Sequence, residues 1–195
     1  MRPSTPRPRL NPLEVIQRHY DPASELYRIL VVHSVLVARK AVEISRAYLG
    51  RNPAAALDLD FVTEAALLHD IGIKLCDAPE IHCEGSEPYI RHGVLGKALL
   101  EAEGFPRHAA VSARHTGSGI SRDEVVARGL PLPPEDYLPV TLEEKIICVA
   151  DKFYGKKPHR LWEEKGLEGI ARGIAKYGAA AAARWEALRT EVLGR

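Results

Sequence analysis

Apolar residues recur at helical spacing along most of the chain, and the clearest case is the segment from Pro22 to Tyr48. One face of this segment carries a row of aliphatic side chains, namely Leu26, Ile29, Leu30, Leu36, Val37 and Ile44. Positions three and four residues apart lie on the same side of an α-helix. The pattern therefore predicts one long helix that Gly50 ends, with His33 in the middle of its apolar face.

Other segments carry the same period or the residues that typically begin and end helices. Asn11 and Pro12 match an N-cap and first-turn pair, and the motifs SRDE at Ser121 and TLEE at Thr141 match the capping box. Gly178 is the expected break in the alanine-rich C-terminal segment, which is predicted to form amphipathic helices. The further predicted helices cover approximately residues 11–20, 60–70, 90–103, 106–115, 141–154 and 167–193, with a short helix after Ser121.

Strand signals are missing from the sequence. No segment of strand length alternates between apolar and polar residues, and the stretch 76–89, with two prolines and little period, is expected to be an ordered loop. We therefore predict an all-α fold: a single-domain helical bundle of about eight helices over residues 11–195, with a flexible N-terminal tail over residues 1–10.

Composition narrows the function classes. The chain has 27 Lys and Arg against 26 Asp and Glu, a net charge of +1, which argues against nucleic acid as its main partner. It lacks an apolar stretch of the roughly 20 residues that a membrane span needs, and its N-terminus lacks the apolar core of a secretory signal. Three cysteines do not make a disulfide framework, so we expect structural thiols and a soluble, cytoplasmic protein.

The stretch LLHDIG at residues 67–72 places two polar residues, His69 and Asp70, at the inner end of an apolar helix. Burying them is costly unless something satisfies them. Taken singly, such residues have ordinary structural explanations: a core histidine, a carboxylate paired with Lys74, a surface residue of a first turn, or a charge that complements a helix end. The same holds for His33, His92, His115 and Asp151.

As a set, these imidazoles and carboxylates indicate a metal centre. They are spread over five helices or helix ends, and several lie inside apolar sequence. Neutral imidazole suits zinc, iron or manganese, and a carboxylate supplies charge and can bridge two ions. Converging helices of a bundle build such sites from distant segments. The candidate ligands are His33, His69, Asp70, His92, His115 and Asp151.

The order of these residues resembles the HD-domain, or HDIG-type, superfamily of metal-dependent phosphohydrolases, over about residues 31–154. The resemblance implies its two-metal branch, in which the aspartate of the His-Asp doublet bridges both ions. It assigns one ion to His33, His69, Asp70 and Asp151, and the other to Asp70, His92 and His115. Two departures matter. Arg114 stands before His115 where cyclic-dinucleotide phosphodiesterases have a second histidine, and Lys74 is one position later than the lysine that often follows HDIG.

The reaction implied by the resemblance is attack of a metal-bridging hydroxide on a phosphoester or phosphoanhydride, with Asp70 as the central catalytic residue. Charge on the phosphate oxygens calls for fixed cations. His108, seven residues before His115 and on nearly the same helix face, is a candidate supporting or substrate-contacting group. The cations nearest in sequence to the ligands, each of which could equally be a solvated surface residue, are Lys74, Arg114 and Lys152.

The sequence alone does not identify the substrate or the metal. The resemblance alone implies a small phosphorylated metabolite, such as a nucleotide, as the substrate. The chain has no glycine-rich phosphate loop that would indicate such a substrate independently. His and carboxylate ligands accept iron, manganese, zinc, cobalt or nickel. Two alternatives stay open: a di-iron oxygenase of the same superfamily, and a non-catalytic regulatory module that metal holds together. The C-terminal helical segment is compatible with packing on its own domain or on a second subunit of a homo-oligomer.

Overall fold

The computed structural model describes residues 10–194, and within them nine α-helices make up nearly all regular structure. They are α1 (Pro12–His19), α2 (Glu25–Arg51), α3 (Leu59–Leu68), α4 (His92–Ala102), α5 (Pro106–Arg114), α6 (Arg122–Ala127), α7 (Leu142–Asp151), α8 (Leu167–Ala175) and α9 (Ala179–Leu193). The predicted all-α fold is confirmed. The predicted N-terminal tail falls on residues 1–9, outside the described range, and on Leu10, which packs against the apolar core.

The segment between α3 and α4 was expected to contain no strand, and this expectation is wrong. Strands β1 (Asp77–Ala78) and β2 (Cys83–Glu84) pair antiparallel in a small hairpin. A strand of two residues is too short to show an alternating pattern, which is why the sequence does not indicate it. Single turns of 3₁₀ helix cover Ile73–Leu75, Pro79–Ile81, Tyr89–Arg91 and, after α7, Pro158–Arg160.

The two predicted capping boxes form to different extents. At Ser121 the capping box is complete: the hydroxyl accepts from the backbone N–H of Glu124, and the Glu124 carboxylate accepts from the backbone N–H of Ser121. At Thr141 only the hydroxyl half forms, because the carboxylate of Glu144 accepts from the backbone N–H of Val140 instead. Both helices nevertheless begin where the motifs predict.

The glycines predicted as helix ends also differ. Gly50 remains helical, and α2 continues to Arg51 because the side-chain amide of Asn52 donates to the carbonyl oxygen of Tyr48 and caps the last turn. Gly178, in contrast, has a φ of +113° and separates α8 from α9 as predicted.

Gly72 has a role other than the predicted helix stop. Helix α3 already ends at Leu68, and Gly72 has a φ of −81°, which is not the left-handed conformation that terminates helices. A Cβ at this position would lie 2.2 Å from the carbonyl oxygen of His92 and 2.4 Å from the backbone nitrogen of Gly96. Glycine therefore allows the start of α4 to approach the turn that follows α3.

Two large apolar clusters pack around α2, and polar side chains lie between them. One cluster joins the C-terminal half of α2 to α3, α7, α8 and α9 and includes the buried Trp185. The other joins the N-terminal half of α2 to α1, the end of α3 and the hairpin. His33 lies between Leu30 of the second cluster and Leu36 of the first, so α2 carries this histidine into the space between the two cores.

The remaining expectations concern cysteines and membranes. Cys76, Cys83 and Cys148 are free and buried, as predicted for structural thiols. Burial raises the pKa of Cys76 and of Cys148 to about 11, so both thiols stay neutral at physiological pH. Among residues 10–194, no helix has the length and apolar character needed to cross a membrane.

Candidate metal centre

The His69–Asp70 pair lies in the turn that follows α3, and both side chains are fully buried. The turn is held by two hydroxyl groups from other elements. The Tyr20 hydroxyl donates to the carbonyl oxygen of Ile71 at 2.7 Å, and the Ser112 hydroxyl donates to that of His69 at 2.8 Å. The doublet is therefore fixed from both sides, by the segment after α1 and by α5.

Four side chains from α2, the turn and α7 bring one donor atom each within 4.8 Å of one another, and we call them the first donor set: His33, His69, Asp70 and Asp151. His33 Nε2 lies 3.1 Å from both Asp70 Oδ2 and Asp151 Oδ1. His69 Nε2 lies 3.0 Å from Asp70 Oδ2 and 3.4 Å from Asp151 Oδ1. Two imidazoles and two carboxylates thus face one point.

The other carboxylate oxygen of Asp70 belongs to a second donor set, formed with His92 at the start of α4 and His115 at the end of α5. Asp70 Oδ1 lies 3.5 Å from His92 Nε2 and 3.4 Å from His115 Nε2. The two Nε2 atoms are 3.0 Å apart. Asp70 is therefore shared by both sets, one oxygen in each.

The hydrogen bonds on the far side of the rings decide which histidine nitrogen carries hydrogen. Nδ1 of His69, His92 and His115 lies 2.7 Å from the carbonyl oxygens of Ala66, Tyr89 and Ser112, respectively, each three residues earlier. A carbonyl oxygen only accepts, so each Nδ1 donates and the neutral ring presents a lone pair at Nε2. In the second donor set, two such lone pairs face each other, which is unfavourable unless a cation lies between them.

The charges of the cluster lead to the same conclusion. Both carboxylate oxygens of Asp70 are fully buried, and in the described part of the chain the groups around them are the Nε2 atoms of four histidines and the ammonium group of Lys156. Burial opposes ionisation of Asp70, but His69 and Lys156 outweigh it and hold its pKa well below its usual range. Burial and the charge of His115 lower the pKa of His92 to about 3, so this ring is neutral, as a metal ligand must be. The donor sets fit divalent transition ions.

Lys152 and Lys156 each contact a carboxylate of the first donor set. Lys152 Nζ lies 2.6 Å from Asp151 Oδ2, which agrees with its predicted place near the site. Lys156 Nζ lies 2.6 Å from Asp70 Oδ2, and the sequence did not point to it. Its only sequence signal is a Lys-Lys pair five residues after Asp151, beyond the segment that resembles the superfamily. Tyr89 was also missed; its ring stacks on that of His92, with centroids 4.8 Å apart.

Two of the predicted phosphate-binding cations lie elsewhere. The Lys74 ammonium donates to the carbonyl oxygen of His19 and lies over the ring of Tyr20. Arg114 Nη1 donates to both carboxylate oxygens of Glu144, at 3.0 and 3.2 Å. Neither placement supports the predicted role, because each cation already has its own partner away from the two donor sets.

His108 is likewise separate from the metal ligands. Its ring packs edge-on against Phe61 and Phe105, and its Nε2 lies 3.4 Å from a carboxylate oxygen of Glu64. It shares a face of α5 with His115, but seven residues span about 10 Å along a helix. In the described part of the chain, no contact with the two donor sets supports the predicted role of His108.

A cleft of about 540 Å³, the main cleft, opens onto the centre. His92, His115 and Asp151 form its inner wall, and residues of α8 form part of its rim. Four lysines also line it, and they are Lys152, Lys156, Lys157 and Lys165. The cluster is thus reachable from outside through an opening that carries positive charge.

Comparison with known proteins agrees with this centre. The family model of the HD domain matches residues 30–155. An uncharacterised protein of Methanocaldococcus jannaschii is 38% identical over 130 residues, which cover 66% of this chain and 68% of that protein.

Two further relatives are tRNA (cytidine(56)-2'-O)-methyltransferases. Those of Thermoplasma volcanium and Picrophilus torridus are 39% and 33% identical over 127 residues, which are 61% of this chain but 34% and 33% of those proteins. The chain thus spans about a third of their length. No solved structure matches the chain. Since the family model covers well over half of the sequence, including all six candidate ligands, the chain belongs to the HD-domain family.

Proposed function

We propose that this protein is a metal-dependent phosphohydrolase that cleaves a phosphoester or phosphoanhydride of a small phosphorylated metabolite, with nucleotides as the first class to test. One observation carries the proposal. A single buried carboxylate, Asp70, is shared by two donor sets at the bottom of a cleft lined by lysines. Paired divalent ions held in this way lower the pKa of water and neutralise phosphate oxygens.

The residues of the chain contribute orientation and charge. Backbone carbonyls fix the rings of His69, His92 and His115 so that every Nε2 faces the centre. Lys152 and Lys156 bring ammonium groups to Asp151 Oδ2 and Asp70 Oδ2, and both lysines line the main cleft. These ammonium groups are positioned to hold a substrate phosphate against the centre, since fixed charges cost no reorganisation when charge develops.

Lys165 supplies a further cation that is free to bind an anion. It lines the main cleft, and in the described part of the chain no carboxylate oxygen lies within ion-pair distance of its ammonium group, which approaches only the carbonyl oxygen of Tyr154, at 3.5 Å. A phosphate bound in the cleft would supply the missing partner.

The HD-domain family supports a metal-dependent hydrolase in general terms, and the relatives do not add to it. The name methyltransferase belongs to proteins of which this chain matches about a third, so that activity is not carried over. The net charge of +1 gives this chain no overall positive charge of the kind that favours nucleic acid as its main partner. Four lysines line the main cleft, which favours a small phosphate compound.

The test combines metal analysis with a substrate panel. Purified protein would be supplied with manganese, iron, cobalt, nickel or zinc and incubated with phosphomonoesters, nucleotides and dinucleoside polyphosphates, and released phosphate would be measured. The matched variant is Asp70→Ala, for which we expect loss of both bound metal and phosphate release, with helical content by circular dichroism retained.

The outcomes separate the three functions. Turnover by the wild type that disappears in Asp70→Ala supports the phosphohydrolase, whereas equal turnover in a metal-free preparation of Asp70→Ala excludes it. Oxygen consumption without phosphate release would favour the oxygenase. Chelation that unfolds a protein inactive on the whole panel would favour the metal-stabilised module.

A further inference from the structure

A second cavity joins the main cleft next to the metal ligands, and we call it the side pocket. It has a volume of about 320 Å³ and lies between the loop 116–120, α6, and the end of α8 with the start of α9. His92, Thr116 and Gly117 line both cavities, as do Tyr89, Ile174 and Tyr177. Its volume falls in the range of pockets that hold small organic ligands, roughly 300–1,000 Å³.

The two cavities differ in chemistry. None of the four lysines of the opening lines the side pocket. The side pocket is lined mainly by carbon, from Ile90, Ile120, Leu130 and Ile174. Of its charged lining residues, Arg184 is paired with Glu124 at 2.7 Å, and Arg128 is the other cation. A molecule that placed phosphate in the main cleft would therefore find an apolar space for its organic part beside it.

The wall of the side pocket is fixed before any ligand binds. The Ser118 hydroxyl donates to the carbonyl oxygen of Ala181 at 2.8 Å, and Arg184 Nη2 donates to that of Gly119 at 3.0 Å. Both bonds tie the loop 116–120 to α9. Gly119 has a φ of +87°, and a Cβ there would lie 2.9 Å from Leu138 Cδ2, so the loop has little freedom to collapse into the pocket.

Tyr177 is the residue at the junction that has no other structural task. It lines both cavities, its side chain is 59% exposed, and its hydroxyl has no hydrogen-bond partner in the described part of the chain. Tyr89 lies on the same junction but is stacked against His92. An exposed aromatic ring beside an apolar pocket is a surface on which a flat ring can stack.

We propose that the side pocket receives the planar, ring-bearing organic group of the phosphorylated substrate, and that Tyr177 selects such substrates by stacking on the ring. This inference rests on the proposed function for the position of the phosphate. It adds that the substrate is a phosphate ester with a heterocyclic group of about nucleoside size, and that the ring lies towards α9 and not towards solvent.

The experiment compares ligands that differ only in the ring. Binding of the four common ribonucleoside 5′-monophosphates and of ribose 5-phosphate to the full chain would be measured by isothermal titration calorimetry with manganese present. We expect at least one nucleotide to bind about tenfold or more tightly than ribose 5-phosphate, because base–aromatic stacking has that magnitude. Tyr177→Ala should reduce this preference about tenfold, and Tyr177→Phe should retain it.

Two further variants serve as a second test of the side pocket and as a control. Leu130 lines the side pocket and is not a candidate metal ligand, so Leu130→Trp, which narrows the pocket, should also reduce the preference. Trp162→Ala removes an aromatic ring that is 68% exposed and lines neither cavity, so it should change nothing. The inference is overturned if no nucleotide binds more tightly than ribose 5-phosphate, or if Tyr177→Ala and Leu130→Trp leave the preference unchanged. Preferential binding without hydrolysis of any phosphomonoester, nucleotide or dinucleoside polyphosphate in the substrate panel would instead refute the proposed function and leave the side pocket intact.

Discussion

Replacing Gly72 by alanine should separate α4 from the turn that carries the His-Asp doublet. The new Cβ would lie 2.2 Å from the carbonyl oxygen of His92 and 2.4 Å from the backbone nitrogen of Gly96. Ordinary carbon contacts begin near 3.5 Å, so the two backbones must move apart by roughly 1 Å. Neither atom belongs to a side chain that could rotate away.

The cost can be estimated from this displacement. Overpacking a core costs about 1–3 kcal/mol, and two backbone collisions place Gly72→Ala at the upper end, about 3 kcal/mol. Because α4 begins with His92, the same movement lengthens the distance between His92 Nε2 and Asp70 Oδ1, which is 3.5 Å here. We therefore expect the second donor set to lose its ion before the first does.

Urea unfolding followed by circular dichroism gives the stability, and elemental analysis gives the metal content. The matched control is Gly50→Ala: a Cβ there meets nothing within 4 Å, and alanine within the helix should stabilise the protein by about 0.5–1 kcal/mol. The reasoning is refuted if Gly72→Ala unfolds at the wild-type urea concentration with its full complement of metal.

Three other predictions follow from contacts at and near the centre. Lys156→Met removes a cation that contacts the buried Asp70, and it should lower the free energy of unfolding of metal-free protein by about 3 kcal/mol. The loss should be much smaller once bound ions supply the positive charge. Equal losses in urea unfolding with and without chelator would contradict this. Burial lowers the pKa of His69, but the Asp70 carboxylate outweighs this and raises it to about 9. Protonated His69 therefore stabilises the metal-free protein fully below pH 6.5, and this stabilisation is lost as the pH rises towards 9. Metal binding near neutral pH should release the proton of His69, which calorimetry in buffers of different ionisation enthalpy would measure. Arg114→Ala should keep turnover within about twofold and lower stability by about 1 kcal/mol, since Arg114 binds Glu144; a large loss of turnover with unchanged stability would restore its predicted phosphate-binding role.

The six candidate ligands could be found from sequence as a set, because several of them lie inside apolar helical sequence. A histidine or aspartate inside an apolar helix face must have a partner, whatever the rest of the chain does. His33 and the His69–Asp70 pair stand out in this way. That Asp70 gives one oxygen to each donor set came only from the resemblance, since sharing depends on where α4 and α5 lie.

The supporting residues could not be found from nearness in sequence. Arg114 adjoins His115, but adjacent helical residues point about 100° apart, and its guanidinium turns to Glu144. Lys74 follows the doublet closely, yet the 3₁₀ turn Ile73–Leu75 directs it towards α1. Lys156 reaches Asp70 only because the chain after α7 folds back over the centre, which no periodic pattern records.

The account depends most on two ions sharing Asp70. Crystals of the protein grown with manganese would be examined by anomalous diffraction, which locates each ion directly. We predict two peaks about 3.5–4 Å apart, one within coordination distance of His33 and Asp151, the other within that distance of His92 and His115, and both in contact with Asp70. Ions bound only elsewhere, or rings of His92 and His115 that face each other with no ion between them, would contradict the central claim.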